Sequence, residues 1–407
     1  MKRVFNFFAA ILFSLTAFGQ TDSPVFNEFI LKYQELNNKY RENTGINLKQ
    51  TELILKEMIT LVENVKLSDA EISEFQPIID RIKAGTYYNL ACNYSLLNQK
   101  KQAVDNFEKS VALGFDDYYH ILRDTDMDNI RKEKRYVLLM KEMFEKTNLA
   151  VLKQAGGYEK SDTVGLPHFY YETPENNRMK DVKRYFKLDS IAGNGDEISK
   201  ILNIMYWIHD NVKHDGNNFA LAEFNSIDLY HYHKATGKGI NCRHLAISLN
   251  EMYLSMGWKS RYVTCSPKDE HDQDCHVINC VWADSLQKWI WLDPTFAAYV
   301  KDENGSFLSI NEVRERLIDG RPVLLNEDAN WNNQDKQTKE HYLDNYMAKN
   351  LYWLQVPVNS QFNPESRYRN NVNKYVSLLP IGYTRSNPEN MDMGTITHDS
   401  EYFWQKP

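Results

Sequence analysis

Apolar residues recur along this chain with two periods, and the change between them divides it. From about Thr21 to Ala150 they follow helical spacing, which predicts an all-helical region. Beyond Asp196 helix and strand patterns mix. Ile198–Asp210 has a helical pattern, with Asp196 of the Gly193-Asn194-Gly195-Asp196 turn as its cap. Leu245, Leu249, Met252, Tyr253 and Met256 then predict an amphipathic helix that starts near Cys242 and ends at Gly257. Two runs of period two follow. His276, Ile278, Cys280 and Trp282 share one face of the first, and Trp289, Trp291 and Asp293 share one face of the second. The polar stretch Ala283–Lys288 between them predicts a hairpin. Pairing Trp282 with Trp289 sets Ile278 opposite Asp293 and makes His276 its diagonal neighbour on the same face.

The flanking segments are less regular. Tyr87, Leu90, Ala91, Tyr94, Ala103, Phe107 and Ser110 alternate large and small side chains in a way that resembles a tetratricopeptide repeat, with Asn98-Gln99-Lys100 as its turn and Gly114 at its end. Asn27–Leu61 and Tyr118–Phe144 are degenerate helical neighbours. Gly156-Gly157 and Gly165-Leu166-Pro167 mark residues 151–195 as a connecting segment, with a strand-like run at His168–Tyr171. Past Thr295 the pattern predicts helices near Asn311–Leu317 and Lys339–Leu354, separated by a polar loop, Asn326–Gln337. The apolar runs Tyr375–Leu379 and Tyr402–Trp404 are expected to finish a sheet. The expected domains are therefore 21–150, helical and repeat-like, and 196–407, mixed.

Three residues carry candidate chemistry. Cys242 lies where a glycine-rich turn, Gly237-Lys238-Gly239-Ile240-Asn241, enters a helix. Unpaired N–H groups and the positive end of the helix dipole favour a thiolate there. The same groups can hold an oxyanion. His276 can serve as base, and Asp293, on the same face, can fix its tautomer and support the imidazolium.

The run from about Asp196 to Thr295 resembles the transglutaminase-like core, a branch of the papain-like cysteine-peptidase superfold. The matching pieces are the Ile198–Asp210 helix, Gly239-x-x-Cys242, Gly257–Val263, His276-Val277 and Trp291-Leu292-Asp293-Pro294-Thr295. The resemblance implies an α+β domain in which a cysteine-bearing helix packs on an antiparallel sheet, here preceded by the α-helical domain. It also implies Cys242 as nucleophile, His276 as general base and acid, and Asp293 as orienter. Papain-type peptidases carry an oxyanion-hole glutamine six residues before the nucleophile. This chain has Thr236 there, which leaves the second oxyanion donor unassigned.

Composition fits a folded chain: 407 residues, 42% hydrophobic, 25% charged, net charge −7. That mild acidity gives no electrostatic reason to expect nucleic acid or anionic lipid. Met1-Lys2-Arg3, the apolar stretch Val4–Phe18 and the small-x-small site Ala17-Phe18-Gly19 describe a signal peptide, residues 1–19, cleaved near Gly19/Gln20. The stretch is too short to span a bilayer core of about 30 Å. Export to a periplasm or the medium is the expectation. The five cysteines leave one thiol over. With Cys242 free, Cys92 is expected to be a buried apolar residue, and Cys265 could bridge Cys275 or Cys280.

Zinc is a competing use of Cys242, His244, His271, Cys275 and His276, but they lack paired ligand spacings, so no metal and no cofactor is expected. The acidic loop Asp269–Asp274 is expected to be solvated and to edge the cleft before His276. Asn304-Gly305-Ser306 matches a glycosylation acceptor. The chemistry implied is attack of the Cys242 thiolate on an amide carbonyl of a protein or peptide, giving a thioester. Water as acceptor makes a peptidase or amidase, which is the favoured reading; a primary amine makes a cross-linking transglutaminase. A reading of another class is a non-catalytic scaffold in which the helical domain binds a protein partner.

Overall fold

The computed structural model describes residues 23–160, 165–366, 374–385 and 393–407. The signal-peptide segment 1–19 lies outside the described residues. The chain divides into two compact units between Thr147 and Asn148.

The first unit is helical: Pro24–Asn43, Leu48–Glu63, Asp69–Leu96, Lys100–Ala112, Tyr118–Arg123 and Lys134–Glu145, with a 3-10 turn at Thr125–Ile130. Side chains cap several of these starts: Ser23 accepts Phe26 N–H, Asn47 accepts Gln50 N–H and Asp117 accepts His120 N–H. Asp69–Leu96 and Lys100–Ala112 form the tightest pair, turned through Asn98 in the left-handed region (φ 57°). Small residues let the two backbones approach, and Ser110 Oγ donates to Ala84 O at 2.8 Å. Cys92 is buried, as expected, but its thiol also reaches Asp124 Oδ2 at 3.5 Å.

The second unit is built on a six-stranded sheet. Its spatial order is Thr395–Thr397, Tyr375–Leu378, Trp353–Pro357, Ser260–Ser266, His276–Ala283, Lys288–Leu292. Every neighbouring pair is antiparallel except the edge pair of Tyr375–Leu378 with Thr395–Thr397, which is parallel. The hairpin has the expected register: Trp282 pairs with Trp289, and their rings meet edge to face at 5.7 Å. Alternation divides the sheet between two cores. Ile278, Cys280, Trp289 and Trp291 pack with Ile310, Val313, Tyr342 and Met347. Val281, Ile290 and Leu292 pack with Leu245, Leu249, Met252 and Tyr253.

Several expectations are corrected. The Cys242–Ser255 helix is not amphipathic: His244–Ser255 is buried on every side. Its polar residues are absorbed by local bonds instead. Ser248 Oγ donates to His244 O, and Glu251 accepts the Ser226 N–H and hydroxyl and the Asn363 N–H. Residues 151–195 include the helices Asn177–Phe186 and Leu188–Ala192, whose Met179, Val182 and Leu188 are fully buried. The Lys339–Leu354 helix stops early: Glu340–Met347 is π-helical, Ala348–Asn350 adds a turn, and Trp353–Pro357 is a central strand. Tyr375–Leu378 joins the sheet, but Tyr402–Trp404 does not. Asp399 caps a short helix, Ser400–Phe403, by accepting Tyr402 N–H. The rings of Phe403, Trp404, Phe169 and Trp289 surround the buried Arg261 guanidinium. All five cysteines are free thiols, including Cys265, Cys275 and Cys280. The loop before His276 is largely exposed, as expected, and Lys349 bonds both Asp272 and Asp274 within it.

Candidate active site

Cys242 occupies the first position of its helix. Asn241, extended at φ −76°, caps it by accepting His244 N–H at 3.0 Å. A single cap leaves the remaining first-turn N–H groups directed out of the helix. Arg243, the next residue, fixes this end to the sheet: it donates to Glu365 Oε1 at 2.8 Å and to Thr264 Oγ1 at 3.0 Å. Tyr262 and Tyr375 donate to the same Glu365 oxygen. Gly239 allows a close crossing of the turn before Cys242, because a Cβ there would lie 2.7 Å from Asp215 Cβ and 3.0 Å from His214 C.

His276 begins its strand opposite Cys265. Regular pairing in the hairpin ends at Asn279–Leu292, and Asp293 turns away into a bridge with Ala298. The carboxylate still reaches the imidazole: His276 Nε2 lies 2.7 Å from Asp293 Oδ2, with both side chains at most 1% exposed. Tyr342 donates to that oxygen at 2.6 Å, and Thr295 N–H donates to Oδ1 at 2.8 Å. A carboxylate so supplied with donors stays ionised: burial works against the charge, but His276, Tyr342 and Thr295 outweigh it and hold Asp293 below the usual range. It therefore accepts Nε2–H and leaves Nδ1 as the basic nitrogen. Phe296 and Tyr346 rings cover the imidazole at 5.6 and 5.2 Å.

Cys242 is partly exposed as a residue, and two imidazoles, His276 and His214, act on its thiol. Burial opposes its ionisation, yet the two histidines prevail and bring it down to about 6. Burial likewise opposes the His276 cation, while Asp293 and the thiolate push it up to about 10. Between these values the pair carries opposite charges.

The fold thus brings Cys242, His276 and Asp293 together. It leaves Thr236 aside, exposed and donating to its own helix at Tyr232 O. Among the described residues no group of three or more His, Cys, Asp or Glu side chains is arranged to hold a metal ion.

Four residues of the site lay beyond sequence reasoning. His214 follows a helix in Val212-Lys213-His214-Asp215, where no periodicity marks it. Its partners Trp331 and Asn332 are 117 and 118 positions away. Tyr342 lies 49 positions from Asp293, in a segment from which the sequence predicted only a helix. A cleft of about 490 Å³, lined by Phe296, Trp331, Asp335, Lys336, Gln337 and His341, opens beside the two histidines' aromatic neighbours.

Residues 185–294 match the transglutaminase-like superfamily. Proteins of that superfamily are in general enzymes, cysteine peptidases or transglutaminases, so the domain supports cysteine-dependent acyl transfer. A second similarity is to a chloroplastic protein of Arabidopsis thaliana, 36% identical over 58 residues, which are 14% of this chain. The chain spans only 17% of the length of that relative. Among the described residues no helix is long and apolar enough to cross a membrane.

Proposed function

We propose that this protein is an exported cysteine-dependent hydrolase of amide bonds in proteins or peptides. Its nucleophile is Cys242, its base and acid His276, and its orienter Asp293. The observation that supports this best is the buried 2.7 Å contact of His276 Nε2 with Asp293 Oδ2, beside a thiol at a helix start. The thiolate attacks the carbonyl carbon and the C=O pair moves to oxygen. The adduct then collapses with cleavage of the C–N bond, the amine taking a proton from His276. Water drawn on by His276 releases the acid and the thiol. The helical unit, in this reading, recruits the protein substrate.

The test is the pH dependence of Cys242 alkylation by iodoacetamide, in the wild type and in His276→Ala. A midpoint near pH 6 in the wild type, moving toward about 8.5 in the variant, is expected. A midpoint near 8.5 in both would remove the His-activated thiolate. Peptides incubated with and without a primary amine then separate hydrolysis from cross-linking. No turnover in the wild type, with partner binding unchanged in Cys242→Ala, would favour the scaffold reading.

A further inference from the structure

His214 is held more firmly than a surface histidine needs to be. Its backbone pairs with the turn that leads into Cys242: Asp215 N–H donates to Ile240 O, and Ile240 N–H donates to Lys213 O, both at 2.9 Å. The Asn332 side chain mimics a strand partner on the other side, accepting His214 N–H at 2.8 Å and donating to His214 O at 3.0 Å. The ring is fixed as well, because Trp331 Nε1 lies 2.9 Å from His214 Nδ1. Trp331 and Asn332 sit on a short hairpin, Asn330–Trp331 with Asp335–Lys336, turned through Asn332 and Asn333 at positive φ. This hairpin falls beyond residue 294, outside the segment shared with the superfamily.

The Trp331 bond decides a tautomer. An indole nitrogen can only donate, so His214 Nδ1 must be the acceptor and carries no proton. A neutral ring then bears its proton on Nε2. Protonating Nδ1 would set two N–H groups against each other. His276 is fixed in the opposite sense, with Nε2–H given to Asp293 and Nδ1 left basic. The His214–Ile240 bridge sets His214 against a residue two positions from Cys242, whose thiol both imidazoles influence: one is suited to take a proton and the other to donate a hydrogen bond. A second base would be redundant there; a neutral N–H donor would not.

We propose that His214, oriented by Trp331 and Asn332, is the second oxyanion donor of this site, joining the Cys242 N–H. The inference rests on Cys242 being the nucleophile. When the thiolate forms its bond to the carbonyl carbon, the π pair becomes a lone pair on an oxygen one bond from that carbon. A donor bridged to the turn that carries Cys242 can meet this oxygen as charge develops. His214 gives up no proton: the charge returns to the C=O bond as the leaving group departs with the C–N or C–O pair. His214 is a catalytic residue in this scheme, and Trp331 and Asn332 are positioning residues.

Two probes of the same sulfur separate the donor's role from the thiolate's. Iodoacetamide alkylation displaces iodide and forms no oxyanion; acylation by p-nitrophenyl acetate passes through one and releases p-nitrophenolate. Both rates are measured at the pH where alkylation of each variant has reached its plateau. His214→Ala is expected to lower acylation about 10²–10³-fold and to leave plateau alkylation within about twofold, since that rate reports the thiolate. His214→Gln, which keeps an amide donor, should recover at least about tenfold of the loss. Equal losses of both rates, or no loss of acylation, would overturn the role of His214 while leaving Cys242 as nucleophile. Wild-type acylation that persists in Cys242→Ala would instead remove the nucleophile and this inference together. The tautomer is read separately on the intact wild-type protein by ¹⁵N NMR of labelled histidines. His214 should show a protonated Nε2 and a bare Nδ1, and a Trp331→Phe spectrum assigns the hydrogen-bonded Nδ1 signal. A protonated Nδ1 in the wild type would refute the proposal even if no His214 variant folds.

Discussion

Tyr342 donates its hydroxyl to Asp293 Oδ2 at 2.6 Å, the same oxygen that accepts His276 Nε2–H at 2.7 Å. Trp291 Nε1 in turn donates to the Tyr342 oxygen at 3.3 Å. A chain of donors therefore runs from the core through Asp293 to His276, and every member of it is buried. Such a chain keeps Asp293 ionised in a place where a lone carboxylate would be costly.

Tyr342→Phe removes one charged-acceptor hydrogen bond and changes little in volume. It is expected to destabilise the second unit by about 1.5–3 kcal/mol. Urea unfolding followed by tryptophan fluorescence measures this. A loss below about 0.5 kcal/mol would mean that Asp293 does not depend on the tyrosine.

Asp293→Asn keeps the shape but withdraws the negative charge that raises His276. The imidazolium then weakens, and the thiolate loses its counter-ion. The midpoint of Cys242 alkylation should rise by at least about one pH unit, which is about tenfold in thiolate at a pH below both midpoints. An unchanged midpoint would assign the thiolate to other groups, the helix start first among them.

Stability against pH follows with a definite sign. Cys242 moves from an ordinary value of 9.0 to about 6, so its contribution is present above about pH 9 and is lost as the pH falls through about 6. His276 moves from 6.5 to about 10; its contribution is present below about pH 6.5 and is lost as the pH rises through about 10. Between about pH 6.5 and 9 the folded pair and the unfolded chain each hold one proton, so the two slopes cancel. In Cys242→Ala the cancellation is gone, and stability should fall as the pH rises from about 6.5, while the wild type stays level. Parallel curves in denaturant titrations across that range would speak against a folded-state imidazolium.

Gly239→Ala forces a Cβ against the backbone of Asp215 and His214. Overpacking of this kind costs about 1–3 kcal/mol. The strain falls on the crossing that places His214 beside Cys242, so acylation should suffer more than stability alone explains. A variant with wild-type stability and wild-type acylation would show that the crossing has room to relax.

Much of the second unit was legible in the chain because its signals are local. The glycine-rich turn and Gly257 bracket the Cys242 helix, Asp196 caps the helix before it, and the Trp282–Trp289 register follows from two alternating runs and a polar turn. Local chemistry of this kind also made Cys242, His276 and Asp293 visible as candidates. The helix of Cys242 misled in one respect: five apolar positions suggested one buried face, but packing on both sides buried its polar residues too. Tyr402–Trp404 misled in another, since a strand-like run became a capped turn whose rings serve Arg261.

The sequence by itself determined the helix that starts at Cys242, the Trp282–Trp289 hairpin register and the residue types able to form a thiolate site. Period and capping act over a few residues, and those are readable in one dimension. Only the tertiary structure decided which distant groups tune that site. Tyr342 reaches Asp293 across 49 positions and Trp331 reaches His214 across 117, each through one directional hydrogen bond. A single bond of that kind leaves no periodic trace in the chain, because its geometry exists only once the intervening elements have packed.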